Sequence, residues 1–355
     1  MAFFRPLVIK IGTNVITSPR GRLQRRVLKS LVSDLAALRR AGFPVMVVSS
    51  GAMGAGRGLL REQKFTDSVA ERQTLAAVGQ VELMRTYAAL LRAHRLQPAQ
   101  VLATREDFRD RAHYLNMRRC LGALLAVGLI PIINENDAVS VEELMFTDND
   151  ELAGLVASLM GAERLVILTS VPGILDATGQ VIDEVNDVND LSQVLTAEKS
   201  SFGRGGMATK GAVAWRLARL GITTHIMDGR QPGNLTKLLL TKAKVGTKFP
   251  AQASKPAIKR WLAEMRGQER GVATVNRGAA DVLRDSARTA SLLPVGITKI
   301  TGEFSRGDIV QINDGSGKPV GYGRAEYGTA VLKKIIGRQH QKPFIHYNYL
   351  FVNSL

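Results

Sequence analysis

Residues 129–160, LIPIINENDAVSVEELMFTDNDELAGLVASLM, form the stretch that decides the fold. The stretch opens with an apolar run, LIPII, whose length and composition are typical of a buried strand. It ends in ELAGLVASLM, whose apolar residues recur at helical spacing. Between them lie two groups of carboxylates and amides, residues 134–137 and 148–150. Because α/β folds bind ligands where strands end and helices begin, this order predicts a functional site.

Each of these polar residues also has a local explanation. Asp148 or Asn149 would cap the helix, and Asp150 with Glu151 would favour the positive end of its dipole. A local role is the simpler interpretation for any single residue. Two such groups flanking one segment favour a site.

Strand and helix patterns alternate along the rest of the first 240 residues. Further strands are predicted at LVIKI (7–11), PVMVV (44–48), VLAT (101–104), RLVIL (164–168) and ITTHIM (222–227). Helical spacing is found at residues 22–41, 70–93 and 111–127, and Gly42 suits the end of the first of these helices. The alternation predicts a mainly parallel sheet covered by helices on both faces.

Two lysines and two glycine turns suit the binding of an anion. Lys10 lies within an apolar strand, where an ammonium group is costly unless it finds an anion at the strand end. The alternative is an edge strand with Lys10 in solvent. The turn SSG (49–51) precedes a helix of small residues, and GRGGMATK (203–210) runs into a helix that carries Lys210. Backbone amides at such helix starts, with a lysine nearby, suit polyphosphate.

The overall composition is that of an ordinary globular protein, with 45% hydrophobic and 22% charged residues. No apolar run approaches the length of a membrane span, and the first residues lack a signal-peptide layout, so a cytoplasmic location is expected. The single cysteine, Cys120, lies in helical apolar sequence. It is expected to be a small core residue in a reducing compartment rather than a nucleophile.

The C-terminal third differs in charge and amino-acid composition from the rest of the chain. The net charge is +17, and residues 241–355 contain 19 Lys and Arg against 8 Asp and Glu. Such a basic segment suits nucleic acid binding or simple solubility. Residues 251–270 are rich in Pro and Lys, which is typical of a linker. Short strand-like pieces with glycine turns at 271–350 predict a compact β-rich barrel, separate from a first domain at 1–250.

Five motifs, VIKIGTN, VSSGAMGAGR, INENDAV, TDNDELA and GRGGMATK, follow one another in an order that resembles the glutamate 5-kinases of the amino acid kinase family. Residues 271–337 resemble the PUA domain that many of these enzymes carry. The resemblance implies a three-layer αβα sandwich and a small β-rich barrel. It also implies ATP, bound with Mg²⁺, and L-glutamate as substrates, γ-glutamyl phosphate as product in the first step of proline biosynthesis, proline as a feedback inhibitor and a homo-oligomer.

The same resemblance assigns roles to individual residues. Lys10 and Lys210 would flank the transferring phosphoryl group, and Asp150 would orient both. The residues that would hold glutamate are Thr13, Ser50, Gly51, Asn134, Asp137, Asp148 and Asn149. The nucleotide pocket would contain Lys10, Thr169, Ser170, Arg204, Gly205, Gly206, Met207, Ala208, Thr209 and Lys210. No protein ligand for a metal is expected. Two nucleotide-side positions depart from the family pattern, which favours Asp at Ser170 and a small hydroxyl residue at Arg204.

Two other functions stay open at this point. A kinase of the same fold would act on another acid, such as acetylglutamate or a carbamate. Against it, the acidic and amide groups suit a free ammonium group, which acetylation removes. An RNA-binding protein would use the PUA-like domain and its positive charge. Against it, residues 271–350 lack a dense Arg and Lys run with interleaved aromatic residues.

Overall fold

The computed structural model describes residues 5–60, 62–109, 111–139, 149–176, 178–187, 206–252, 262, 269–285 and 290–352. The chain divides into two units, Met1–Ser254 and Lys255–Leu355. Each unit has its own sheet and its own apolar core. Most of the predicted linker lies outside the described residues, so the predicted domain boundaries stay a prediction.

The first unit is organised around a seven-stranded sheet with the strand order β3-β4-β2-β1-β5-β6-β7. Its strands are β1 (Leu7–Ile11), β2 (Val45–Ser49), β3 (Pro98–Ala103), β4 (Ile130–Glu135), β5 (Arg164–Thr169), β6 (Thr223–Asp228) and β7 (Thr247–Phe249). All neighbours pair in parallel except β6 and β7, which are antiparallel. The predicted mainly parallel sheet is therefore confirmed.

Helices cover both faces of this sheet. The described helices are α1 (Thr13–Ile16), α2 (Arg25–Arg40), α3 (Ala52–Leu59), α4 (Ser68–Arg92), α5 (Glu106–Arg109), α6 (Arg111–Ala126), α7 (Asn149–Met160), α8 (Met207–Arg219) and α9 (Asn234–Leu240). Buried side chains of α2, α4 and α9 pack in one core with Ile9 and Ile11 of β1. Because strand residues alternate between faces, Lys10 lies on the opposite face, which α7 covers.

Close packing between α3 and α4 fixes the turn that follows β2. A Cβ atom at Gly56 would lie 1.9 Å from the carbonyl oxygen of Leu75, and one at Gly79 would lie 1.8 Å from that of Ala52. Both positions therefore require glycine. The small-residue segment that the sequence places after the SSG turn is thus explained by helix packing at this close distance.

The second unit has a five-stranded sheet with the order β12-β11-β10-β8-β9. Its strands are β8 (Gly271–Val275), β9 (Ile297–Gly302), β10 (Ile309–Asn313), β11 (Pro319–Arg324) and β12 (Leu350–Val352), and its helices are α10 (Arg277–Arg284) and α11 (Thr329–Ile335). Short 3₁₀ turns occur at Pro294–Gly296 and Tyr347–Tyr349. Most strand pairs are antiparallel, and β8 with β10 is parallel.

Two sequence expectations differ from the structure. Residues 277–284, expected among strand-like pieces, form α10 because Asn276 caps it: its Oδ1 accepts a hydrogen bond of 2.8 Å from the backbone N–H of Ala279. Cys120 was expected in a core but is exposed on α6. A helix has a solvent face even where its sequence is apolar, and Cys120 lies on that face. None of the described helices combines the length and apolar character of a membrane span.

Candidate active site

A cavity of about 310 Å³ lies where strands β1 and β5 end and helices α7 and α8 begin. This is the edge of a parallel sheet at which α/β proteins bind ligands. The predicted site residues that line the cavity are Lys10, Thr13, Ser50, Asn149, Asp150, Thr169, Ser170 and Lys210. The lining therefore contains residues from four of the five motifs noted in the sequence, and Asn134 and Asp137 of the INENDAV motif are not among them.

A carboxylate held between two ammonium groups lies at the base of this cavity. Asp150, the second residue of α7, is fully buried and forms ion pairs with both Lys10 and Lys210. The Nζ atom of Lys210 is 2.9 Å from Oδ2, and the Nζ atom of Lys10 contacts Oδ1. Burial alone would raise the pKa of Asp150, but the two lysines outweigh burial and hold this pKa below its ordinary value. The carboxylate stays ionised and fixes both lysines in position.

A chain of amide and hydroxyl groups lies beside this cluster. The Nδ2 atom of Asn149 donates to Ser50 Oγ and to Asn134 Oδ1, both at 2.8 Å. The Nδ2 atom of Asn134 in turn donates to Gln80 Oε1 at 2.9 Å. Both Asn134 and Gln80 are buried. The network fixes the direction of Asn149 and Ser50 at the cavity wall.

Sequence reasoning missed Gln80, which supports the network from α4. Its neighbours at helical spacing, Leu75, Ala76, Gly79 and Leu83, are buried. A glutamine at a core-facing position of an amphipathic pattern was therefore the available signal. Buried polar groups are retained where they are hydrogen-bonded, and here the hydrogen bond leads directly to the site.

Asp137 and Gly51 lie outside the lining of the cavity. A carboxylate oxygen of Asp137 is 3.6 Å from an Nη atom of Arg72 on α4. Burial raises the pKa of Asp137, and the nearby Arg72 partly opposes this shift. Gly51 begins α3 with a φ of 101°, a left-handed conformation that favours glycine. Asp137 therefore has a cationic partner of its own, which sequence reasoning did not include.

The other predicted nucleotide residues are placed only in part. Gly206 caps α8, and Met207, Ala208 and Thr209 form its first turn next to Lys210. Among them only Lys210 lines the cavity. Arg204, Gly205 and Asp148 lie outside the described residues.

An arginine that sequence reasoning also missed braces the end of β5. A guanidinium nitrogen of Arg230 donates to the backbone oxygen of Ser170. The side chain of Asp228 holds Arg230, with Oδ1 accepting from its Nε at 3.1 Å and from its backbone N–H at 2.8 Å. The hydrogen bond that Arg230 donates to the Asp228 carboxylate raises the pKa of Arg230 above its ordinary value. This pair supports the segment that carries Ser170.

The carboxylates of the described site do not form a metal-binding cluster. Within the described ranges, no three His, Cys, Asp or Glu residues come together in a way that could hold an ion. Asp150 lines the cavity but is already neutralised by two lysines.

Both units match known protein families. The amino acid kinase family profile matches residues 5–228, and the PUA domain profile matches residues 271–346. The chain belongs to the amino acid kinase family, and its second unit is a PUA domain. It is therefore a kinase with the predicted α/β fold and a separate β-rich domain.

The full-length relatives point to one branch of this family. A protein named glutamate 5-kinase from Chlorobaculum tepidum is 46% identical over 353 residues, which cover 98% of each chain. Another of that name, from Bacteroides thetaiotaomicron, is 42% identical over 356 residues and covers 98% of this chain and 99% of its own. The solved structure of carbamate kinase from Giardia lamblia bound to AMP-PNP superposes with a TM-score of 0.52. That structure is 16% identical and covers 71% of this chain and all of its own, so it shows the fold alone.

Proposed function

We propose that the chain transfers the γ-phosphoryl group of ATP to the γ-carboxylate of L-glutamate, giving ADP and γ-glutamyl phosphate, the first step of proline biosynthesis. The observation that carries this proposal is the pairing of Lys10 and Lys210 on the buried Asp150. The full-length relatives are named for this activity. Together the site and the relatives support one reaction.

The reaction needs positioning and positive charge more than acid–base chemistry. An oxygen of the γ-carboxylate, already a nucleophile at neutral pH, forms a bond to the γ-phosphorus. The bond from this phosphorus to the bridging oxygen breaks, and its electron pair leaves with ADP. Lys10 and Lys210 would stabilise the negative charge on the transferring group. Asp150 would keep both ammonium groups in place without reorganisation during the transfer.

The amino acid would lie against the amide network. Ser50 and Asn149 present their polar groups at the cavity wall, and Asn134 orients Asn149. The α-ammonium of glutamate needs acceptors, and Asp137 would provide a carboxylate. Since Arg72 lies 3.6 Å from Asp137, the substrate ammonium would share that carboxylate with Arg72. The other residues assigned to this pocket are Thr13, Gly51 and Asp148.

The nucleotide would lie toward the end of β5 and the start of α8. Thr169 and Ser170 line the cavity at the strand end, and Lys210 reaches it from α8. Mg²⁺ enters as part of the ATP substrate, where phosphate oxygens supply ligands and the ion neutralises charge. This assignment agrees with a site whose lining carboxylate, Asp150, is already paired. Residues 204–209 complete the proposed nucleotide pocket.

A coupled assay of ADP release tests the substrate. Glutamate, acetylglutamate and aspartate are compared at saturating ATP and Mg²⁺. Glutamate should give by far the highest kcat/KM, because acetylation removes the ammonium group and aspartate places its carboxylate one methylene short. A preference for acetylglutamate or aspartate would overturn the proposal and leave the family assignment intact.

The roles of the two lysines are tested separately. Lys10→Ala and Lys210→Ala should each lower kcat by on the order of 10²-fold or more, because each removes preorganised positive charge. Lys237→Ala is the matched control, because Lys237 is an exposed lysine of the same unit that does not line the cavity. Near-normal turnover of either cavity variant at saturating substrates would contradict the proposed roles.

The remaining expectations concern the whole protein. We propose a kinase domain at residues 1–250, a linker at 251–270 and a PUA domain at 271–350. A homo-oligomer, inhibition by proline and a cytoplasmic location stay predictions. RNA binding through the PUA domain is the less favoured alternative role for this domain.

A further inference from the structure

A second cavity, of about 280 Å³, lies beside the antiparallel edge of the large sheet. Its lining comes from the start of β5, from β6 and β7, and from the segment that joins α9 to β7. None of its lining residues lines the active-site cavity. The reaction proposed for the first cavity therefore gives no role to this second cavity.

The two cavities lie on opposite faces of the sheet. His225 of β6 pairs in register with Val166 of β5, and Val166 shares a core with Ile9 of β1. Side chains of paired residues point to the same face, so His225 lies on the face of Ile9. Lys10 is the next residue along β1 and points to the other face. A ligand in the second cavity would therefore not touch the catalytic lysines.

The lining carries more positive than negative charge. Lys248 pairs with Glu184 at 2.8 Å, and Lys244 pairs with Asp183 at 3.3 Å. Within each of these two pairs the positive and negative charges largely cancel.

Two further cations line the same cavity. Arg164 has a salt bridge only to Glu163, at 3.7 Å, among the described residues. Lys242 forms no salt bridge within the part of the chain that the structure describes. The charge of Lys242 is thus left for a ligand and that of Arg164 has one distant partner, Glu163, which favours an anion.

A buried histidine lines the same cavity as these cations. His225 is only 3% exposed, and its Nδ1 atom has no hydrogen-bond partner among the described residues. Burial, together with the charges of Arg164 and Lys248, lowers the pKa of His225 to about 4. The imidazole is therefore neutral at pH 7 and has one N–H to donate. Leaving such a buried polar group without a partner is unfavourable, and a hydrogen-bonding ligand would offset that cost.

The backbone next to the cavity is held in an uncommon conformation. Lys242 follows the end of α9 with a φ of 57°, where glycine is usual. This left-handed conformation is unfavourable for a residue with a side chain. Gly246 has a φ of 72°, and a Cβ atom there would lie 2.2 Å from the backbone oxygen of Ile226. The segment is thus fixed against β6 with a lysine at a position that disfavours it.

We propose that this cavity binds the anionic group, phosphate or carboxylate, of a small molecule, through Arg164, Lys242 and the imidazole of His225. Leu238 and Val245 line the same space and would contact the apolar part of the ligand. The site combines the cations of Arg164 and Lys242 with one buried donor, which is the donor set that an anion requires. It does not depend on the proposed function of the first cavity.

Nuclear magnetic resonance of the histidine side chains tests this proposal on the full chain. The protein has five histidines, and His225→Gln assigns the signal of His225. The chain is titrated with inorganic phosphate and, separately, with succinate, at constant ionic strength set by chloride. At least one of the two anions should shift the His225 signals in a saturable manner.

Variants locate the bound anion. Arg164→Gln and Lys242→Gln should each weaken the apparent affinity about tenfold or more, whereas Lys237→Gln, the matched control one turn earlier on α9, should not. Lys210→Gln, in the active-site cavity, should leave the His225 response unchanged. The signals of the other histidines report whether each variant is folded. If Arg164→Gln fails to fold, the result for Lys242→Gln decides the test, because Lys242 is exposed.

Three results would overturn the proposal. The first is the lack of a saturable shift of His225 with either anion. The second is a shift that persists undiminished in Lys242→Gln. The third is a shift that disappears in Lys210→Gln, because the anion would then be bound in the active site.

Discussion

Asp150→Asn removes the negative charge between Lys10 and Lys210 and leaves the volume of the side chain almost unchanged. The carboxylate is fully buried, and the side chains of Lys10 and Lys210 are 5% and 12% exposed. Each lysine contacts a different oxygen of the same carboxylate. The variant therefore leaves two ammonium groups facing one another without an anion between them.

The size of the effect follows from this geometry. Ammonium groups on the two oxygens of one carboxylate are on the order of 5 Å apart, and at an effective dielectric constant of ~20 they repel by about 3 kcal/mol. Removing one partner from a buried ion pair costs about 3–5 kcal/mol in other proteins. We therefore expect Asp150→Asn to lower the free energy of unfolding of the first unit by about 3–5 kcal/mol at pH 7.

Urea unfolding of the full chain measures this loss. The chain has two tryptophans, and in a Trp261→Phe background Trp215 on α8 alone reports on the kinase unit. Asp34→Asn is the matched control: Asp34 is buried and forms no ion pair with the described residues, and burial raises its pKa. Replacing this carboxyl should change stability by less than about 1 kcal/mol.

The comparison between the two variants decides the matter. If Asp150→Asn loses no more stability than Asp34→Asn, the carboxylate of Asp150 does not offset the repulsion between the two lysines, and the electrostatic argument is refuted. Addition of a non-hydrolysable ATP analogue should restore part of the loss, because its phosphates replace the missing anion and bind only the folded state. The same addition should not distinguish Asp34→Asn from the wild type.

The remaining predictions concern three side chains, a truncated chain and the binding of RNA. Asp137→Ala should raise the KM for glutamate about tenfold or more and leave the KM for ATP nearly unchanged, as steady-state kinetics would show; equal changes would place Asp137 elsewhere. Gln80→Leu should lower kcat/KM for glutamate by about tenfold, because Asn134 loses the acceptor that orients it; an unchanged value would limit Gln80 to packing. The pKa of His225 is about 4 in the folded protein and ~6.5 in the unfolded chain. As the pH falls below ~6.5, His225 therefore binds a proton more readily in the unfolded chain than in the folded protein, and the free energy of unfolding decreases. Between pH 8 and pH 5 this residue should remove about 2 kcal/mol, measured by urea unfolding as the difference between wild type and His225→Gln; parallel losses would contradict it. A chain ending at Lys255 should still phosphorylate glutamate, and the full chain should bind structured RNA only weakly, with binding lost by roughly physiological salt. Tight RNA binding that persists at higher salt would instead assign RNA binding to the PUA domain.

The sequence by itself determined the parallel sheet, and it predicted the edge at which the first cavity lies. Buried strands such as LVIKI and RLVIL, separated by amphipathic helices, can form few other arrangements, since such strands must be covered on both faces. The polar residues after β4 and before α7 already indicated a site, because the ends of strands and the starts of helices are defined by local pattern. The order of the motifs then led to the family that the comparisons confirm.

The tertiary structure alone decided which of these residues touch. Lys10, Asp150 and Lys210 lie far apart in the sequence, and their meeting depends on the parallel register of β1 with β5 and on the packing of α7 and α8. Gln80 and Arg72 were missed for the same reason, because their partners lie on other elements of the chain. Periodicity records which face of an element is buried, but it contains no information on which distant side chain meets that face. That choice is made by packing, and in this protein packing provides the partners of Asp150, Asn134 and Asp137.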